Sequence, residues 1–234
     1  QVFGDHQTIT GNYSYDWHQP AGTAPHIDFI QTYIDSVNGK LILTNFVIEN
    51  NFVYWPNMYN RAGMNDSISF FMAAGAHDGV VKNNIVYAAH GLNINNSGTP
   101  TPYNIEIYNN TFIGNLTYTL GYQSAISVDP GNNITVKNNI TQDYYYQHVS
   151  FRSGTGNTED YSCKYNTDGS NPGGSHQTHD VWKQNPLFVN LGGSNAADYK
   201  LQSNSPCRDA GTTISGVTDD YDGNSRPQGS APDL

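Results

Sequence analysis

The stretch Ile105-Glu-Ile-Tyr-Asn109-Asn110 decides the fold, because the chain writes it again, with substitutions, as Phe46-Val-Ile-Glu-Asn50-Asn51, Gly79-Val-Val-Lys-Asn83-Asn84 and Ile134-Thr-Val-Lys-Asn138-Asn139. A repeated strand-plus-turn phrase signals a stacked architecture. Alignment of the copies puts Phe46, Ile105 and Ile134 in one apolar column and Ile48, Val81, Ile107 and Val136 in the next. Glu49, Lys82, Tyr108 and Lys137 fall in the outward column that follows, so each phrase reads as one rung of a coil.

The paired asparagines fit a turn between rungs, since asparagine tolerates left-handed backbone angles and hydrogen-bonds locally. Stacked amides can also bond to one another. The second member of each pair, Asn51, Asn84, Asn110 and Asn139, is expected to point inward as a polar ladder in which each amide donates to the next carbonyl.

A second strand family alternates in the same way: Phe29-Ile-Gln-Thr32, Ser69-Phe-Phe-Met72, Gly91-Leu-Asn-Ile94, Ala125-Ile-Ser-Val128 and His148-Val-Ser-Phe151. Phe70 to Leu92 is 22 positions and Ile126 to Val149 is 23, while the longer gaps from Ile30 to Phe70 and from Leu92 to Ile126 must hold protruding loops. The basic coil is thus roughly twenty-two residues per turn, within the range of solenoid repeats.

The later part of the chain carries Asn185-Pro-Leu-Phe-Val189, Asp198-Tyr-Lys-Leu-Gln202, Ser205-Pro-Cys-Arg-Asp-Ala-Gly211 and Asp222-Gly-Asn-Ser-Arg-Pro227. These look like the closing segment of secreted bacterial β-helix repeat proteins, and His26-Ile-Asp28-Phe-Ile-Gln31 resembles a motif of their opening rungs. The chain therefore resembles the right-handed parallel β-helix proteins of the pectate-lyase-like superfamily, over nearly its whole length. The resemblance implies an all-β, right-handed parallel β-helix (solenoid) with an irregular C-terminal tail segment. Residues 1–25 are expected to cover or extend the coil, 26–160 to form its rungs, and 161–234 to hold the final coil and tail. The superfamily contains polysaccharide lyases, hydrolases, epimerases and members without assigned chemistry, so fold alone does not decide function.

Composition agrees with one extracellular or cell-surface domain. No Gly/Ser tract or charge block divides the 234 residues, and the 36% hydrophobic content suits a thin coil with a solvated exterior. No apolar run is long enough to span a bilayer. No stretch reads as a signal peptide, so Gln1 is expected to be a processed or truncated start if the protein is secreted. The net charge of −10 leaves no basic stripe for nucleic acid and disfavours polyanionic glycans, which would need a basic pocket or bridging Ca²⁺; a neutral glycan is electrostatically easier. Cys163 and Cys207 both lie in the less regular final third. The secreted character of the tail favours a disulfide between them, contributing roughly 3 to 4 kcal/mol, over two buried thiols.

For chemistry, a lyase needs a base beside a uronate carboxylate and a cation for the enolate. Asp28, His90 and Gln147 stand two residues before the first inward position of their rungs. We expect Asp28 and His90 as catalytic groups with Arg152 as the cation, over a floor of Gln31, Asn93, Ser127 and Ser150. Tyr108, between Lys82 and Lys137, is a candidate to stack on a sugar ring, and Tyr144-Tyr145-Tyr146 is the densest aromatic cluster. No metal site is read. Ca²⁺ is left open only because Asp220-x-Asp222-x-Asn224 has the oxygen spacing of a calcium loop, although Ser225 replaces its glycine and no glutamate closes it.

Two functions follow. One is a secreted β-helix that associates with an extracellular polysaccharide and, if an enzyme, cleaves it as a lyase by β-elimination or as a glycoside hydrolase. The other is a non-catalytic structural or adhesive solenoid that self-assembles end to end into fibres, since a coil end must be covered or stacked.

Overall fold

The structure, a computed structural model, describes residues 4–15, 27–32, 42–56, 68–95, 100–116 and 123–234. Its regular structure is β apart from short 3₁₀ turns, and every paired strand runs parallel to its neighbours. The chain visits three sheets in rotation. The first holds β1 (Gly4–Asp5), β2 (Thr8–Thr10), β5 (Leu43–Glu49), β8 (His77–Lys82), β11 (Tyr103–Tyr108), β14 (Asn132–Lys137) and β17 (Thr158–Asp160). The second holds β3 (Tyr13–Tyr15), β6 (Phe52–Tyr54), β9 (Ile85–Tyr87), β12 (Thr111–Ile113), β15 (Ile140–Gln142), β18 (Cys163–Tyr165) and β19 (Val181–Trp182). The third holds β4 (Ile27–Gln31), β7 (Ile68–Ala74), β10 (His90–Asn95), β13 (Ser124–Asp129) and β16 (Gln147–Phe151). Each circuit lands beside the one before it in the same order, an all-β stack that fits a parallel β-solenoid. Residues 4–15 belong to these sheets, pairing with β5 and β6; residues 1–3 and 16–26, with His26, lie outside the described residues.

Register turns alternation into buried columns. Phe46, Gly79, Ile105 and Ile134 align in the first sheet, followed by Ile9, Ile48, Val81, Ile107 and Val136. Gly79 has no side chain because a Cβ there would sit 2.2 Å from the Phe46 ring, which fills the space. The third sheet contributes Ile30, Phe71, Leu92, Ile126 and Val149, all at most 2% exposed.

Asn50, Asn83, Asn109 and Asn138 all have φ between 51° and 56°, the left-handed region that asparagine accepts more readily than most residues. That corner turns the second asparagine of each pair into the core. Nδ2 of Asn51 donates to Asn84 Oδ1 (2.9 Å), Asn84 to Asn110 (2.9 Å) and Asn110 to Asn139 (3.0 Å). The backbone N–H of each donates to the same oxygen. Asn12 extends the line at one end, through Asn51 Oδ1 at 2.9 Å, and Ser162 and Asp180 continue it at the other. A second left-handed column, His6, Asn45, Asp78, Asn104 and Asn133, lies on the exterior of the first sheet. There Asn104 Nδ2 donates to Asp78 Oδ1 (2.8 Å) and Asn133 Nδ2 to Asn104 Oδ1 (3.2 Å).

After β19 the chain turns back along the stack. Outward residues of the second sheet, Phe52, Ile85, Ile113, Ile140 and Cys163, pack with Phe188, Tyr199, Cys207 and Leu234 of this tail. The first asparagine of the last three pairs grips it: Asn83 Nδ2 donates to Asp219 O (2.8 Å), Asn109 Nδ2 to Asp233 O (3.0 Å) and Asn138 Nδ2 to Thr212 O (2.8 Å). Cys163 and Cys207 meet in this layer as buried free thiols and not as the expected disulfide. Their place is one of packing, and burial raises the Cys163 thiol well above its ordinary range. Among the described residues no helix is long and apolar enough to cross a membrane.

Candidate ligand-binding face

The outer surface of the third sheet carries a polar column. Gln31 pairs in register with Met72, Met72 with Asn93, Asn93 with Ser127, and Ser127 with Ser150, so the expected floor is one line crossing five strands. Neighbouring strands lie about 4.8 Å apart, which places one hydrogen-bonding group at nearly every step. Gln31, Asn93 and Ser127 are half-buried and Ser150 is buried. A second polar column, with Asp28 and His90 in one register line and Ser124 and Gln147 in line on the far strands, stands two residues before the inward Ile30, Leu92, Ile126 and Val149, so alternation places it on the inward side and not on this face.

The three expected catalytic groups do not converge. Asp28 and His90 share a column but are two strands, about 10 Å, apart. His90 is buried, only 4% exposed. Arg152 follows β16 on the opposite side of the floor, with Nη1 3.8 Å from Asp129 Oδ2 and its guanidinium 5.6 Å from the centre of the exposed Tyr146 ring. Arg152 thus stands beside the face while the column of Asp28 and His90 has the inward parity of Ile30 and Leu92, without a shared reacting point.

Tyr108 is not a sugar platform. It is 7% exposed, and burial, ahead of the adjacent Glu106 carboxylate, pushes it up to about 12. Its register neighbour Lys82 is taken by Glu49 (3.3 Å) and by Gly216 O of the tail (3.0 Å). In the tyrosine cluster Tyr144 is wholly buried, whereas Tyr145 and Tyr146 face solvent.

A cleft of about 310 Å³ opens between the stack and the tail, lined by Asn83, Asn109, Tyr199, Asp220, Arg226 and Asp233 among others. Its polar groups are spent on the tail itself. Arg226 donates to Asp219 O and Asp233 O, the same carbonyls that Asn83 and Asn109 hold. Asp220 accepts the N–H groups of Asp222 and Asn224 and the Asn224 amide, while Asp222 pairs with Lys200 at 2.6 Å. The Asp220–Asn224 stretch is thereby a closed turn with its oxygens engaged, and no group of three or more metal-ligating side chains occurs among the described residues.

One constellation escaped the sequence reasoning. At the end of the stack the core turns polar: His148 lies 2.8 Å from Thr141 Oγ1 and 2.9 Å from Asn166 Oδ1, and Lys164 meets Glu159 and Asp180. The signal was present, since Thr158-Glu-Asp-Tyr161-Ser162-Cys163-Lys164 keeps the spacing of the repeated phrase while losing its residue types. No protein-family model, curated protein or solved structure matches this chain.

Proposed function

We propose that the chain is a right-handed parallel β-helix of the pectate-lyase-like kind that acts outside the cell and binds a linear, neutral polysaccharide along the outer face of its third sheet. The aligned column Gln31, Asn93, Ser127 and Ser150 carries this reading. Amide and hydroxyl groups repeated at strand spacing match a polymer that presents hydroxyls at regular intervals, and uncharged groups suit a sugar without carboxylates. The net charge of −10 favours a neutral glycan over uronate. The right hand follows from the strong preference of parallel crossovers. The separation of Asp28, His90 and Arg152 favours binding over cleavage.

Affinity electrophoresis of the full chain through gels containing neutral or uronic polysaccharides, with and without calcium, is the test. Retardation by a neutral glycan, abolished by Asn93→Leu with Ser127→Leu, is expected. Retardation by uronates alone, or by neutral glycan but unchanged in that variant, overturns the proposal.

End-to-end self-association is the second reading, and one observation favours it. Asn12, the exposed end of the ladder among the described residues, adjoins Tyr13 and Tyr15, which stack on Phe52 and Tyr54 with their other surfaces 58% and 55% exposed. Light scattering across a concentration series would show open-ended growth if this end docks another copy, and a constant monomer mass if it does not.

A further inference from the structure

Three charged side chains occupy inward positions at the end of the stack. Glu159 continues the column Ile48, Val81, Ile107 and Val136; Lys164 continues Val86, Phe112 and Thr141; Asp180 follows Ser162 in the asparagine line. All three side chains are wholly buried. Lys164 Nζ lies 2.5 Å from Glu159 Oε1 and 2.9 Å from Asp180 Oδ2, with the Trp182 ring 5.8 Å away. An ordinary buried ion pair adds little stability over an apolar core, because desolvating the charges offsets their attraction. The same enclosure holds an amine against a carboxyl with water excluded, the geometry in which the two condense. Burial, partly offset by the Lys164 charge, holds the Glu159 carboxyl above its ordinary range, so it can carry a proton between them.

We propose that Lys164 and Asp180 condense into an intramolecular isopeptide bond, with Glu159 as the catalytic acid–base. Transfer of a proton from the ammonium, through Glu159, to the Asp180 carboxylate leaves a neutral amine and a neutral acid. The Nζ lone pair attacks Cγ, and the C–O bond to the oxygen nearest Lys164 breaks. Glu159 returns the second amine proton to that leaving oxygen, which departs as water. One ammonium and one carboxylate become one amide and one water, with no redox partner.

The product suits its place. Asp180 Oδ1 already accepts the Ser162 N–H at 2.8 Å, as each ladder asparagine oxygen accepts the N–H of the preceding circuit. Condensation makes Asp180 an amide in a line that is otherwise amide except at Ser162, and covalently closes the last circuit.

The test is the intact mass of the full chain under denaturing conditions, followed by tandem mass spectrometry of a proteolytic digest. A mass lower than the sequence by one water, with a branched peptide joining Lys164 to Asp180, is the expected result. A mass equal to the sequence, or a water loss that fragments as an unbranched succinimide, overturns the proposal. Glu159→Gln is expected to restore the full mass while circular dichroism still shows β structure; an undiminished cross-link in that variant overturns the role of Glu159. Because the first measurement uses the unaltered chain, a variant that fails to fold does not leave the bond undecided.

Discussion

Asn138 and Thr212 exchange two hydrogen bonds, Nδ2 to the Thr212 carbonyl at 2.8 Å and the Thr212 N–H to Oδ1 at 2.9 Å, so an amide buried between stack and tail grips the returning chain as a neighbouring strand would. The next residue, Asn139, faces the other way and closes the interior ladder. The pair therefore separates tail docking from core stability. Asn138→Gly keeps the left-handed backbone and removes only the side chain. It should cost about 1 kcal/mol, read as roughly fivefold faster hydrogen exchange at Thr212 with little change elsewhere.

Asn139→Ala should act on the whole stack. It removes the acceptor of the Asn110 N–H and one hydrogen bond each from Asn110 Nδ2 and from the Ile107 and Lys137 carbonyls. The expected loss is about 3 kcal/mol or more in urea unfolding. Equal effects of the two substitutions would show that tail and stack unfold as one unit.

Gly79 and Phe46 form a second coupled pair. An added Cβ at Gly79 meets the Phe46 ring at 2.2 Å, well inside contact distance. Gly79→Ala should destabilise by about 1–3 kcal/mol, as overpacking does in close-packed cores. Phe46→Leu added to it should recover part of that loss, and a double-mutant cycle in urea would measure the coupling. Additive effects would mean that the ring moves aside freely.

His148 makes stability depend on pH. Burial, against weaker opposing hydrogen bonds from Asn166 and Thr141 and with help from the Lys164 charge, lowers it from 6.5 to about 4. The unfolded chain then binds a proton that the folded chain refuses, so the contribution is complete above pH 6.5 and is lost as pH falls toward 4. The full loss is roughly 3 kcal/mol, of which about 2 is gone at pH 5. His148→Gln should flatten the stability profile between pH 6.5 and 5; an unchanged slope would assign the dependence to other groups.

The parts of this molecule that were legible in the sequence are those that repeat locally. Asn109-Asn110 announces its corner because left-handed geometry and an inward amide are demanded at each circuit, and Gln31, Asn93, Ser127 and Ser150 align because strand alternation fixes register. Tyr108 was misread for the opposite reason. Its outward position means solvent only if nothing returns over it, and the tail touches both its neighbour Lys82 and the adjacent Asn109. Lys164 was overlooked because the interior there is polar, which hides a core position from any search for apolar periodicity. The intervening strand β7 between Asp28 and His90 was legible in the order of the strand family, whereas the burial of His90 was not, because its position two residues before the inward Leu92 was read as outward.

Cys163 and Cys207 give a chemical check on the tail. Cys163 stands in the outward column of the second sheet after Ile140, and Cys207 reaches it from the returning chain. Both thiols are buried, and a thiol held well above its ordinary range reacts slowly because the thiolate is the nucleophile. A thiol reagent without reductant should therefore find no reactive cysteine in the folded chain and two after denaturation. Two reactive thiols in the folded state would mean that the tail opens readily. None after denaturation would restore the cross-link, and with it a tail that cannot leave the stack even when Asn83, Asn109 and Asn138 release it.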